Sequence, residues 1–224
     1  MDNIRTIEVK QSVFASNDKK ANELRASLKA SGTFLLNVMS SPGSGKTTTL
    51  TGVVNILKSD YRIAVMEADI DSDVDAKTIA NQTGVDVIQL HTGGMCHLDA
   101  DMTLQGINNL DKNDYDLIIL ENIGNLVCPA EFDTGAVKNM CILSVPEGDD
   151  KPLKYPLMFE VSNFVVINKI DVMPYFDFDI QKCENNIKYR NQATDILKVS
   201  AKTGEGISEL AEYLKKEIEE WKEK

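Results

Sequence analysis

The stretch "VMSSPGSGKTTTL", residues 38–50, closes an apolar run and leads into a helical pattern. It supplies Gly43, Ser44, Gly45, Lys46, Thr47 and Thr48, the G-x-G-K-T core of a phosphate-binding P-loop. Glycines let backbone N–H groups close around a β-phosphate, and the helix that follows adds the positive end of its dipole. Lys46 is placed to bridge β- and γ-phosphate oxygens, and the Thr47 hydroxyl to bind Mg2+. Ser40 stands where the full pattern has glycine, so the match requires an ordinary φ at that position.

A P-loop predicts strands alternating with helices, and the flanking sequence supplies them. Strands are expected at 34–39, 62–67, 86–90, 115–121, 140–145, 164–168 and 195–200. Several are near-continuous apolar runs, as in parallel strands buried on both faces. Helices fit at 45–58, 75–83, 98–110, 177–190 and 205–222, the last with Ile207, Leu210, Ala211, Leu214 and Ile218 on one face. Ala21, Leu24 and Leu28 suggest a further helix before the first strand. The expectation is one α/β P-loop NTPase domain over 34–224, with a mostly parallel sheet, preceded by a helical extension over 1–33.

Composition narrows the partners. The 224 residues carry 24 basic and 35 acidic side chains, a net charge of −11, which repels nucleic-acid phosphates and anionic lipid. "MDNIRTIEVKQSVF" has no apolar leader core, and no run approaches the ~18 apolar residues of a membrane span. A cytoplasmic protein without nucleic-acid or membrane partners is expected, its four cysteines being thiols.

"VVINKID" ends a buried strand with Asn168, Lys169 and Asp171, an N-K-x-D pattern. A carboxylate held in plane accepts from the N1–H and the exocyclic amine of guanine; adenine has neither donor there, and an unpaired carboxylate is costly. In "VSAKTGEG", Ser200, Ala201 and Lys202 form an S-A-K at another strand end, placed to offer a backbone N–H to guanine O6. In register with the P-loop, these two motifs assign GTP.

"LIILENIGNLVCP" ends a strand in Glu121, followed by Gly124 and Cys128. Glu121 lies where a Walker-B acid holds Mg2+, and Gly124 is placed to offer its N–H to the γ-phosphate. No glutamine follows to orient an attacking water, so hydrolysis should be slow. "EADIDSDVDA" crowds Glu67, Asp69, Asp71, Asp73 and Asp75 together. An EF-hand does not fit, because Val74 occupies the turn where Gly is needed. Asp69 or Asp75 is expected near Mg2+, the others in solvent.

Only two histidines occur, and His97 directly follows Cys96 in "GGMCHLDADM". With Cys128 they form a Zn2+ or Ni2+ ligand set one short of tetrahedral. Spacing alone leaves a metal grip and inert thiols both open. Cys141 and Cys183 are assigned no role, and His91, a lone histidine at a strand end, is kept only as a minor candidate near the pair.

These motifs together give a resemblance. The chain resembles the HypB family, GTPases that assist nickel insertion during nickel–iron hydrogenase maturation, through "SPGSGKTT", "HTGGMCHLDADM", "ENIGNLVCPAEFDTG", "EGDDKPLKYP" and "VINKID". The urease GTPases share the P-loop but carry a Cys-Pro-His motif absent here. The resemblance implies a SIMIBB-like GTPase fold and a nickel or zinc site from Cys96, His97 and Cys128 at the interface of a GTP-promoted homodimer. It implies a role for the Lys154 region at nucleotide or partner, and as partners a second maturation protein and the hydrogenase large subunit. Residues 1–33 hold neither Cys nor His, so the N-terminal nickel motif of some members has no counterpart there. Two alternatives stand beside this: a GTPase chaperone for a urease-type or cobalamin-type enzyme, and a metal-binding protein with a vestigial nucleotide site.

Overall fold

In the computed structural model, residues 9–69, 72–110 and 114–223 are described, with side chains from Phe14 onward. Seven strands form one sheet: β1 (Phe34–Ser40), β2 (Ile63–Asp69), β3 (Asp86–His91), β4 (Leu117–Glu121), β5 (Lys138–Ser144), β6 (Phe164–Asn168) and β7 (Asp195–Lys198). Their order is β3-β2-β4-β1-β5-β6-β7, and every pairing is parallel. The expected mostly parallel sheet is thus parallel throughout. Parallel neighbours need crossovers. These are supplied by α2 (Lys46–Leu57), α3 (Val74–Thr83), α4 (Ala100–Asn108), the short α5 (Cys128–Glu131), α6 (Lys151–Lys154) and α7 (Pro156–Glu160), and by α8 (Ile180–Arg190). Helices α1 (Val9–Ser31) and α9 (Ile207–Glu223) flank the sheet at either end of the chain.

Alternation along each strand divides the core. Phe34, Leu36 and Val38 face α2 and α9, where Leu50, Val54, Leu210 and Leu214 complete one buried cluster. Leu35, Met66 and Leu120 face the other way, toward Leu24 and Leu28 of α1. A third cluster gathers Met39, Cys141, Val165 and Ile167 from the strands with Phe159 of α7 and Ile187 of α8. The N-terminal helix is packed into the core, and Ala21 is fully buried with it.

Helix boundaries move where side-chain caps dictate. α4 begins at Ala100 because Asp99 accepts from the Met102 N–H, and α8 begins at Ile180 because Asp179 accepts from the Lys182 N–H. α5, α6 and α7 lie outside the expected helices. Each carries proline in its first turn, where the missing N–H costs nothing. Asp71 of the acidic stretch, and residues 1–8 of the N-terminal extension, lie outside the described residues. Among the described residues no helix is long and apolar enough to cross a membrane.

Candidate functional site

The P-loop joins β1 to α2 at the C-terminal edge of the sheet, where ligands of open parallel sheets bind. Gly45 caps α2 with φ 96°, and a Cβ there would come within 2.5 Å of Asn168 Nδ2, so both backbone and space demand glycine. Ser40 is buried as the last residue of β1, and it is absent from the residues with left-handed φ. Its hydroxyl accepts from Ser44 Oγ at 2.7 Å and from Lys46 Nζ at 3.1 Å. The serine thus braces the loop from below in place of the expected glycine.

Asn168 locks the base-side loops to the P-loop. Its Nδ2 donates to the Ser44 carbonyl at 2.9 Å, and its Oδ1 accepts from the Lys169 and Ala201 N–H groups at 2.7 and 3.1 Å. Lys169 takes φ 63° and donates its Nζ to the Gly43 carbonyl at 2.6 Å. Asp171 accepts from Ser200 Oγ at 2.7 Å, which holds the carboxylate in one orientation. Gly45, Thr48, Asp171, Ala201 and Lys202 line a cavity of about 140 Å³ between these motifs. The Ala201 N–H, a candidate donor to guanine O6, is already given to Asn168.

The acidic residues sort themselves by register. Glu67 of β2 lies opposite Glu121 of β4, both buried. Carboxylate oxygens of Glu67, Glu121 and Asp75 lie within 4.8 Å of one another. Glu121 accepts from Thr47 Oγ1 at 3.2 Å, which ties the cluster to the P-loop. Burial, and then the neighbouring carboxylate of Glu121, push Glu67 up to about 8. Burial also pushes Glu121 up to about 7, against the pull of Lys46. The Oε2 atoms of Glu67 and Glu121 have no hydrogen-bond partner. Buried carboxylate oxygens without a donor, beside a P-loop threonine, fit a hard divalent cation such as Mg2+. Of the two expected acids, Asp75 joins this cluster and Asp69 does not; Asp69 Oδ1 accepts from the Ser72 N–H at 2.8 Å. The sequence alone puts Glu67 in solvent, and its strand position overturns that.

Gly124 sits against the P-loop, where an added Cβ would lie 3.2 Å from the backbone of Pro42. Asn125 then makes a turn, its Oδ1 accepting from the Val127 N–H at 2.7 Å and the Cys128 N–H at 3.4 Å, which presents Cys128 as the first residue of α5. Cys96 and Cys128, 32 residues apart in sequence, meet with their Sγ atoms 2.8 Å apart as free thiols. The thiol contact, followed by burial, holds Cys128 above the ordinary thiol range. Among the described residues, His97 is not part of a three-donor cluster with them; its ring stacks on Phe132 at 3.8 Å with an interplanar angle of 9°. Burial lowers the His97 pKa, so the ring favours its neutral form, and Nδ1 is buried without a partner. Neutral imidazole and thiol pair suit a borderline-soft cation. Cys141 and Cys183 are fully buried, which pushes both thiols up, Cys183 to about 12. Glu147 of "EGDDKPLKYP" touches Ser41 of the P-loop, and Lys154 pairs with Asp150 at 2.6 Å.

The family model described as the CobW/HypB/UreG nucleotide-binding domain matches residues 34–198. A protein of Azotobacter chroococcum mcd 1 named hydrogenase maturation factor HypB is 42% identical over 213 residues, spanning 95% of this chain and 70% of the relative. A protein of Helicobacter hepaticus named hydrogenase/urease maturation factor HypB is 37% identical over 216 residues, spanning 95% and 88%. A crystal structure of HypB from Helicobacter pylori in complex with nickel superposes with TM-score 0.84 at 36% identity, over 92% of this chain and 96% of that one.

Proposed function

The chain belongs to the HypB family of hydrogenase maturation factors, and from that premise we propose that it is a slow GTPase that delivers nickel, taking up or releasing the metal according to the bound nucleotide. The observation that carries this is the short path from phosphate to metal. Gly124, packed on Pro42, and Cys128, in contact with Cys96, lie on one loop four residues apart.

GTP would lie with its phosphates in the Gly43–Thr48 loop, its charge met by Lys46 and the N-terminus of α2. Glu67, Asp75, Glu121 and Thr47 would hold Mg2+, which when bound supplies charge neutralisation between the β- and γ-phosphates. Asp171 reads the N1–H and amine of guanine, with Ser200 fixing its plane. The γ-phosphate would accept from the Gly124 N–H and reorder the loop that ends at Cys128. Its loss on hydrolysis resets the loop. No glutamine follows Gly124 to orient the attacking water quickly, which suits a timing device.

One chain brings two thiols together, with His97 next to Cys96 in sequence, an incomplete shell. Met95 and Val127, the immediate neighbours of the two cysteines, are 40% and 51% exposed. Apolar side chains flanking an incomplete metal shell support a homodimer in which a second copy closes the site. A nickel–iron hydrogenase is the proposed client. The dual name of the Helicobacter hepaticus relative favours urease as the second candidate.

Nickel and zinc titrations with GDP and with a non-hydrolysable GTP analogue, with the oligomeric state followed in the same samples, test the reading. A change in both affinity and assembly between the two nucleotides is expected. Equal affinity and an unchanged monomer would remove the switch.

A further inference from the structure

We propose that Asn17, in the N-terminal helix, sets the spacing of the Cys96–Cys128 thiol pair by bonding at once to both loops that carry it. The inference rests on the reading of that pair as the nickel site, and extends it to a residue far away in sequence. Asn17 is 7% exposed. Its Oδ1 accepts from the Ala100 N–H at 3.0 Å, and its Nδ2 donates to the Asp133 carbonyl at 2.8 Å. Ala100 lies four residues beyond Cys96, and Asp133 five beyond Cys128.

Each bond meets a group that local structure leaves over. Ala100 is the first residue of α4, so its N–H has no partner within the helix. Asp99 caps Met102, and Asn17 supplies the acceptor for Ala100 from another helix. Asp133 lies just past the end of α5, and its carbonyl finds its donor in Asn17. The two partners fix the orientation of the amide, because a backbone N–H must meet oxygen and a carbonyl must meet nitrogen.

The rest of α1 reinforces the bridge on both sides. Lys20 pairs with Asp101 of α4. Arg25 Nη2 donates to both carboxylate oxygens of Asp133 at 2.8 Å, and its Nε donates to the Ala136 carbonyl at 2.9 Å. Phe14 packs on Phe132 at 5.0 Å, and Phe132 carries the His97 ring. Among these contacts, only the Asn17 amide bonds to both loops. A tetrahedral thiolate site with bonds of about 2.3 Å needs its sulfurs about 3.8 Å apart, a spacing that rotation about the cysteine Cα–Cβ bonds can reach while the two loops keep their places. A residue that holds both loops fixes the separation of the two backbones from which those sulfurs are offered.

The test uses Asn17→Asp, which keeps the acceptor for Ala100 but cannot donate to Asp133, and Asn17→Leu, which keeps the volume and removes both bonds. Zinc and nickel affinities are measured in the whole chain by competition with a chromophoric chelator, with GDP affinity as the control. The rate of Cys96–Cys128 cross-linking by diamide, which takes two electrons and two protons from the thiols, reports their spacing without any metal. Metal affinity is expected to fall at least about tenfold in Asn17→Leu, the scale on which groups that orient metal ligands act. Cross-linking should slow in the same variant, with GDP affinity unchanged. Asn17→Asp should fall between Asn17→Leu and the parent. Should one variant fail to fold, the other carries both measurements. Cross-linking and metal affinity indistinguishable from the parent in a folded variant, even with a lowered melting temperature, would reduce Asn17 to a structural bond and overturn the proposal. A parent chain whose metal binding ignores Cys128→Ala would sink the nickel-site reading instead, and the cross-linking rates would still judge Asn17.

Discussion

Glu67 and Glu121 are register partners on adjacent parallel strands, with two buried carboxylates facing the P-loop side of the sheet and an oxygen of each left without a donor. Two like charges in one buried site repel unless a proton or a cation lies between them. Mg2+ is the cation that a nucleotide site offers. Glu67→Gln should therefore raise the Mg2+ concentration that GTP binding needs by about 10-fold or more, the usual scale for groups close around a bound metal. Mg2+ titrations of nucleotide binding check this; an unchanged midpoint would take Glu67 out of the site.

The same pair predicts how stability depends on pH. Both carboxyls rise in the folded protein from an ordinary value of 4.5, to about 8 for Glu67 and about 7 for Glu121. Between those limits the folded chain holds protons that the unfolded chain has released, so stability falls as pH rises. The melting temperature of nucleotide-free, metal-free protein should drop between about pH 5 and about pH 8. Saturating Mg2+ with nucleotide should flatten the slope and release protons on binding. A melting temperature that rises across this window without Mg2+ would contradict the burial of both groups.

Much of the nucleotide site is legible in the sequence because its signals are local. The spacing of Gly43, Gly45, Lys46 and Thr47 specifies a turn into a helix, and Asn168, Lys169 and Asp171 specify a strand end. Glu67 is not legible, because its role depends on which strand lies beside β2 and in what register. A run of acids in sequence does not reveal which one lies beside another strand's glutamate. The setting of His97 is not legible either. Adjacency to Cys96 suggests joint ligation, and it gives no hint that the imidazole stacks face to face on Phe132, 35 residues further along the chain. The α5–α7 turns escape notice because helices of four or five residues carry no periodicity. Asn17 has no sequence signal at all, since its partners are backbone groups 83 and 116 residues distant.

Guanine selection should rest on Asp171. In Asp171→Asn the side-chain oxygen can still accept from Ser200, so the loop should keep its shape while the amide faces the base with a donor. Binding of GTP should weaken sharply, and xanthosine triphosphate, whose 2-oxo group accepts, should be preferred. Competition between the two nucleotides on the same variant measures the exchange. Parent-like GTP affinity would reassign base recognition elsewhere.

Turnover by the isolated protein should be slow, within about 10⁻⁴–10⁻² s⁻¹, the range of GTPases without an activating partner. The reason is the loop after Glu121. Asn122 donates to Asn37 Oδ1 at 3.1 Å and Asn125 turns the chain, so both amides of that loop are engaged away from an attacking water. Single-turnover hydrolysis faster than about 1 s⁻¹ would point to a catalytic group supplied by another part of the chain or by a second copy.

Gly124 rests on Pro42 of the P-loop and Cys128 touches Cys96, so one four-residue path links the phosphate to the thiols. Its Cα atoms span at most about 14 Å when extended, too short for one end to reorder while the other stays put. GTP should therefore change metal affinity, and metal must change GTP affinity by the same factor, since linkage is reciprocal. Such couplings run to about 1–3 kcal/mol, or roughly 5–150-fold, well within reach of paired titrations. Cys128→Ala should abolish the coupling and most metal binding while the monomer binds GTP as before. Cys141→Ala, which removes a fully buried thiol on β5, should leave the coupling intact. Coupling that survives Cys128→Ala would mean that the nucleotide acts on the metal by another route.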